Sequence, residues 1–216
     1  MNKLHILVLL CLTLYSGHCV LGVDVSQLFS TSTYQCMKNN GYSFVIIRGY
    51  CSYGGLDHNA VAGLSNAKAA GLITDIYMFP CRGKSASAQV DEMIAGISGN
   101  LYGMVWLDIE TNPSSGCGWS SDTNSNCAFV TELINRVKSH GKVPAIYATQ
   151  YMWQTIMGGR NACPSAASVQ LWYAHYDNNP SFSDFASFGG WSKPNIKQYA
   201  GDTTLCGAGV DKNFYP

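Results

Sequence analysis

The chain has 216 residues, 13 of them basic and 13 acidic, so its formal net charge is zero. That balance gives no electrostatic footprint for nucleic acid or for an anionic membrane surface. The length suits one domain with a full core once a leader is set aside.

Lys3 precedes an apolar run over 6–14, followed by Ser16-Gly17-His18-Cys19. A charged start, an apolar stretch and small residues are the layout of a secretory signal peptide. The expected cut follows Cys19 or Gly22, which gives a leader of 1–19 and a single domain of 20–216. The run is too short to span a bilayer, and no later stretch is long and apolar enough. The expectation is a secreted, soluble monomer with no nucleic-acid and no membrane partner.

A first strand is read at 23–26, then a short helix ending near Asn40-Gly41. Residues 44–50 form a continuous apolar strand, as expected where both faces are buried. Asp57 is placed to cap a helix that runs to Ala70 and stops at Gly71. A third strand spans 73–79 and is closed by Pro80. Ser87 opens a helix with Val90, Met93, Ile94 and Ile97 on one face, ended by Gly99-Asn100. The fourth strand is 103–110. Phe129, Val130, Leu133, Ile134 and Val137 share one helical face, and His140-Gly141 ends that helix. A fifth strand at 143–148 and a helix through Trp153 to Met157 follow.

Strand and helix have then alternated five times, which means parallel strands joined by right-handed crossovers, in a barrel or a doubly wound sheet. Beyond that point strands are read at 169–176, 195–199 and 210–215, joined by links without helical period. The expected fold class is α/β, a barrel of five strand-helix units closed by three further strands, at least one of them antiparallel. No Rossmann glycine pattern follows the first strand.

Seven cysteines lie beyond the leader: Cys36, Cys51, Cys81, Cys117, Cys127, Cys163 and Cys206. In an oxidising compartment they read as disulfides rather than metal ligands, and an odd number leaves at least one thiol over. Cys117 and Cys127 flank a polar loop and are the expected pair. His58, His140 and His175 show no metal spacing. Asp122 to Asn126 begins like a calcium loop, but Cys127 stands where the template needs Gly and Glu132 is one residue early. No cofactor and no metal are expected.

The chemistry concentrates in Trp106-Leu107-Asp108-Ile109-Glu110. Asp108 and Glu110 are two apart on one strand, so their side chains enter the same space. Two close carboxylates do not both ionise cheaply, and one keeps its proton to higher pH. A protonated acid beside an ionised one is the pair that general acid catalysis on a glycosidic oxygen requires. In a barrel such chemistry gathers at the carboxyl ends of the strands. Asp24, Tyr50, Tyr77, Glu110, Tyr147 and Tyr176 fall there, and Asp211 joins them only if the last strand runs antiparallel.

Gly22-Val23-Asp24-Val25-Ser26, Trp106-Leu107-Asp108-Ile109-Glu110, Leu171-Trp172-Tyr173-Ala174, Gln198-Tyr199 and Val210-Asp211-Lys212-Asn213 together resemble the family-25 glycoside hydrolases, the Chalaropsis-type lysozymes. The cysteine-rich form is similar to those of nematodes and amoebae. The resemblance implies a flattened barrel and cleavage of the β-1,4 bond between N-acetylmuramic acid and N-acetylglucosamine in peptidoglycan. It implies Glu110 as general acid, Asp108 as its partner, and Asp24 and Asp211 completing the acidic cluster. Tyr77, Tyr147, Trp172 and Tyr199 are the expected sugar contacts. Met78 and Lys197 depart from the family's usual His and Trp and put sugar contacts in doubt.

Two rivals stand beside this reading. A chitinase-like glycosidase would carry further acids upstream of Asp108, where this chain has Gly103 and Trp106. A carbohydrate-binding immune protein without turnover would tolerate the two departures. As for mechanism, side-by-side acids suit attack by the sugar's own 2-acetamido group better than an inverting pair roughly 6.5–9.5 Å apart. The alternative is that Asp108 only tunes Glu110 while Asp24 or Asp211 acts as base or nucleophile.

Overall fold

The computed structural model describes residues 19–216. The predicted leader, residues 1–18, lies outside the described residues. Strands β1 (Val20–Val25), β2 (Tyr42–Cys51), β3 (Gly55–Leu56), β4 (Ile73–Met78), β5 (Met104–Asp108), β6 (Val143–Ala148), β7 (Gln170–Ala174), β8 (Ile196–Leu205) and β9 (Ala208–Tyr215) form one sheet. Helices α1 (Thr31–Asn39), α2 (Ala60–Ala69), α3 (Ala86–Gly96), α4 (Thr123–Ser139) and α5 (Gln150–Met157) cross between them. β1 pairs with both β2 and β9, which closes eight strands into a barrel; β3 is an extra two-residue strand folded back on β2. β9 runs antiparallel to both β8 and β1, as a link too short for a crossover requires.

The wall of the barrel has two faces. Phe44, Ile46, Trp106, Ala145, Tyr147, Trp172 and Ile196 pack into a cluster inside it. Their neighbours in sequence, among them Val45, Ile47, Val105, Leu107 and Leu171, point outward into the larger cluster with Leu64, Val90, Val130 and Leu133 of the helices. This two-sided burial is why the strands read as unbroken apolar runs. Gly22 is required inside: a Cβ there would stand 2.2 Å from the Phe44 ring.

Helix starts follow hydroxyl and carboxylate caps. Ser30, Ser85, Asp122 and Thr149 each accept a backbone N–H from the first turn of α1, α3, α4 and α5. Two expected caps shift by two residues. Asp57 accepts the N–H of Asn59, which is the residue that precedes α2. Ser85 caps α3, while Ser87 donates to Glu132 of α4 at 2.7 Å. Asp122, the start of the rejected calcium pattern, is spent on capping α4.

The expected Cys117–Cys127 bond does not form. Disulfides join Cys36 to Cys206, Cys81 to Cys117 and Cys127 to Cys163, and Cys51 is a buried free thiol. The polar loop does not close on itself. Cys117 accepts the Arg82 N–H through its carbonyl and so lies against the loop after β4. Cys127 sits in the first turns of α4 and faces the 3-10 turn Pro164–Ser168. Cys81–Cys117 and Cys127–Cys163 therefore tie neighbouring strand-helix units together, while Cys36–Cys206 ties α1 to the turn between β8 and β9. Cys19 is also disulfide-bonded.

Candidate active site

Four acidic side chains meet at the carboxyl-end mouth of the barrel. Asp24 and Asp211 are direct register partners across β1 and β9. Asp108 ends β5 and Glu110 follows two residues later. The antiparallel course of β9 is what delivers Asp211 to this end. The pairs also feel one another: the charge of Asp24 acts on Asp108, and that of Asp211 acts on Glu110.

The backbone that carries Glu110 is fixed on several sides. The Ile109 N–H donates to the Tyr147 carbonyl at 2.8 Å, and Trp119 Nε1 donates to the Glu110 carbonyl at 2.7 Å. Asn112 Nδ2 then donates to the carbonyls of Ser52 and Pro80, at 2.8 and 3.0 Å. The loops after β2, β4 and β5 are thereby locked together, and the Cys81–Cys117 bridge adds a covalent tie.

Two of the carboxyls are committed to the protein and two are not. Asp24 Oδ1 accepts Gln198 Nε2 at 2.8 Å and Asn213 Nδ2 at 2.7 Å. Asp211 accepts the Asp202 N–H at 2.7 Å and Gln198 Nε2 at 3.3 Å. The carboxyls of Asp108 and Glu110 accept no hydrogen bond from the described residues, and Asp108 Oδ1 is buried without a partner. A buried polar atom left unpaired costs about 1–3 kcal/mol, so its persistence asks for a reason.

Burial raises every carboxyl of the cluster. Asp24 is pushed up to about 8 by burial and then by the charge of Asp211, against its two amide donors. Asp108 is held well above the ordinary carboxylate range by burial, then by Glu110 and Asp24. Glu110 rises through burial and Asp211, and Asp211 rises through burial with the Asp202 N–H opposing. The mouth therefore keeps protons that exposed carboxylates would have lost.

Of the expected sugar contacts, Tyr147 and Trp172 line this space. Tyr147 donates to Gln198 Oε1 at 2.7 Å, Trp172 Nε1 donates to Asn213 Oδ1 at 2.8 Å, and their rings meet edge to face. Tyr77 packs against the inner cluster, and its hydroxyl is raised by burial and by Asp24 and Asp108. Tyr199 is not brought there. It alternates with Gln198 and so points outward, packed with Ala200 and Phe214 and close to Tyr42. Tyr50 also faces outward, donating to Glu92 of α3. Tyr176 does reach the mouth, donating to Gln198 Oε1 at 2.9 Å while more than half exposed.

Met78 and Lys197 do not face the acids. Both are fully buried; Met78 lies in the outer core. Lys197 Nζ is 2.8 Å from Asp177 and 2.9 Å from Asp184. Neither departure removes a side chain from the mouth. His175, Asp177 and Asp184 offer atoms within 4.8 Å of one another, a grouping that spacing between histidines alone does not reveal. The Lys197 ammonium already supplies their cation. Gln198 and Asn213 are the residues that sequence reasoning missed. Both stand in quoted motifs, and two-residue alternation from Ile196 would have turned Gln198, not Tyr199, inward.

A family model described as "Lysozyme-like protein 1" matches residues 16–199. "Probable GH family 25 lysozyme 2" of Dictyostelium discoideum is 42% identical over 200 residues, covering 90% of each chain. "Lysozyme-like protein 5" of Caenorhabditis elegans is 38% identical over 203 residues, covering 90% of this chain and 91% of that one. Among solved structures, the bacterial lysozyme from Streptomyces coelicolor superposes with a TM-score of 0.78 at 27% identity, covering 93% of both chains. A family GH25 lysozyme from Aspergillus fumigatus shares the fold, with a TM-score of 0.76 at 22% identity over 92% of this chain and 94% of that one.

Proposed function

The chain belongs to the family-25 lysozymes, which are glycoside hydrolases, and we propose that it acts outside the cell on the β-1,4 bond between N-acetylmuramic acid and N-acetylglucosamine in peptidoglycan. The observation that carries the residue roles is the division of the cluster. Asp24 and Asp211 are tied down by amide donors, whereas the carboxyls of Asp108 and Glu110 accept none from the described residues and are left without a partner.

Glu110 is the general acid. Its raised pKa keeps it protonated, and it donates that proton to the leaving oxygen. Asp108 takes the N–H of the 2-acetamido group on the sugar whose bond is cut, which gives its unpartnered oxygen a donor. The acetamido oxygen then attacks the anomeric carbon. The positive charge developing on the nitrogen is the opposite charge that favours the ionised form of Asp108. Water opens the cyclic intermediate, with Glu110 now acting as base, and configuration is retained. Asp24 and Asp211, with Gln198 and Asn213, hold the field that keeps both working carboxyls high.

The test is hydrolysis of purified peptidoglycan followed by proton NMR of the first product. The β anomer should appear first, and glycan whose muramic acid has been de-N-acetylated should resist cleavage. Rapid cleavage of that glycan, or an α anomer first, overturns the assisted route. Fragments ending in N-acetylglucosamine rather than muramic acid would overturn the choice of bond.

A further inference from the structure

Arg48 is a cation set at the same mouth as the four carboxyls. Phe44 and Ile46 face the barrel interior, and Arg48 continues that face of β2. Ile46 is the register partner of Asp24, so Arg48 stands one row further out, roughly 7 Å along the strand from the row that holds Asp24. Its own register partner is Tyr77, which packs against the inner cluster.

The guanidinium is held but not used up. Nε donates to Asp57 Oδ2 at 2.7 Å and Nη2 donates to the Ser26 carbonyl at 3.1 Å. Asp57 is itself fixed by accepting the Asn59 N–H. An arginine that served only as a clamp would turn its paired Nε and Nη2 edge onto one carboxylate. Here that edge is split between two partners, and Nη1 has none among the described residues. The side chain is 32% exposed, so the remaining edge meets solvent.

Resting on the muramidase reading, we propose that Arg48 binds the carboxylate of the muramic acid substituent and so selects muramic acid over plain N-acetylglucosamine. Whenever one of the mouth's acids is ionised, a carboxylate-bearing sugar is disfavoured there unless a cation offsets it. A pre-positioned guanidinium reverses that preference at little ordering cost. The carboxylate comes from the 3-O-lactyl group itself or from the peptide stem attached to it.

Three glycans separate these sources: stem-bearing peptidoglycan, amidase-stripped glycan with free lactyl carboxylates, and the same stripped glycan methyl-esterified. Wild-type protein should favour at least one carboxylate-bearing form over the ester by about tenfold in kcat/KM, the scale of one charge-assisted hydrogen bond. Preference for the stripped acid assigns the lactyl group, and preference confined to the stem-bearing form assigns the peptide. Arg48→Gln should erase that preference and leave cleavage of the ester within about twofold, with Arg48→Lys restoring part of it. Equal cleavage of all three by wild type, or an equal fall on all three in Arg48→Gln, overturns the proposal and leaves the muramidase reading standing. A wild-type protein that cleaves none of them overturns that reading itself.

Discussion

Glu110 owes its character first to burial and then to the charge of Asp211, which reaches it across the mouth. Its backbone is pinned through Ile109 and Trp119. Glu110→Gln keeps the shape and removes the proton, so cleavage should fall by at least about a hundredfold while glycan binding persists. Turnover above that level, measured on labelled peptidoglycan alongside binding, would remove the acid role. The pair Asp108 and Glu110 was legible in the sequence because two residues on a strand share a face. Gln198 and Asn213 were not, since an amide becomes chemically telling only when a buried carboxylate is found against it. Gln198 links five site residues at once: Asp24 and Asp211 on its nitrogen, Tyr147 and Tyr176 on its oxygen, and Asn213 opposite it in register. Gln198→Leu should therefore lower kcat strongly while moving KM little, because it unties the groups that set the field rather than a sugar contact.

β8 shows both what periodicity reveals and where it misleads. Its apolar start at 196 was visible, but its run to Leu205 was not, because Gly201, Asp202 and Thr203 read as a link. The strand continues there through register shifts, with Asp202 at positive φ and its N–H bound to Asp211. Lys197 was the opposite case, a departure from the family's Trp that put a sugar contact in question, whereas the side chain is buried on the outer wall. It bonds Asp177 and Asp184, and Asp184 also takes Tyr173 and His175. The segment after β7, which carries Tyr176 to the mouth, is fastened by these bonds. Lys197→Met should cost about 3–5 kcal/mol in urea unfolding, since two partly buried aspartates lose their cation. A loss under about 1 kcal/mol would mean the pair contributes no more than a surface salt bridge.

The fold as a whole is a closed barrel whose ends meet late in the chain, and that closure was read from the count of eight strands against five helices, not from any local signal. The disulfides could not be read this way, because pairing depends on which strand-helix units become neighbours. Cys36–Cys206 spans 170 residues and fastens α1 to the turn between β8 and β9, beside the seam where β1 meets β9. Replacing both cysteines by serine should lower stability by about 2–5 kcal/mol in chemical unfolding.

The acid cluster makes that stability depend on pH in an unusual direction. Asp24 has a folded pKa of about 8 against an ordinary 3.8. Below the lower value both folded and unfolded chains hold the proton, and no charge is buried. Between the two values the unfolded chain has released it and the folded chain has not, so stability falls as pH rises, by about 1.4 kcal/mol per pH unit for each such group. Asp108, Glu110 and Asp211 are shifted the same way and steepen the fall. Two other aspartates act in the opposite sense. Asp91 is brought down to about 2 by hydrogen bonds from Arg136 and His140. Burial would raise Asp184, but Lys197, Tyr173 and His175 outweigh it and bring it to about 2 as well. Their contribution is present above 3.8 and is lost as pH falls through 2. The two trends cross in mildly acidic solution, so urea unfolding should show its highest stability near pH 4–5 and a decline toward pH 8. Asp24→Asn keeps an acceptor for the amide donors and has no proton to lose. Its profile should fall less steeply and should lie above wild type at pH 8. A wild-type profile that rises from pH 5 to 8, or an Asp24→Asn profile parallel to it, would show that these carboxyls ionise freely in the folded protein.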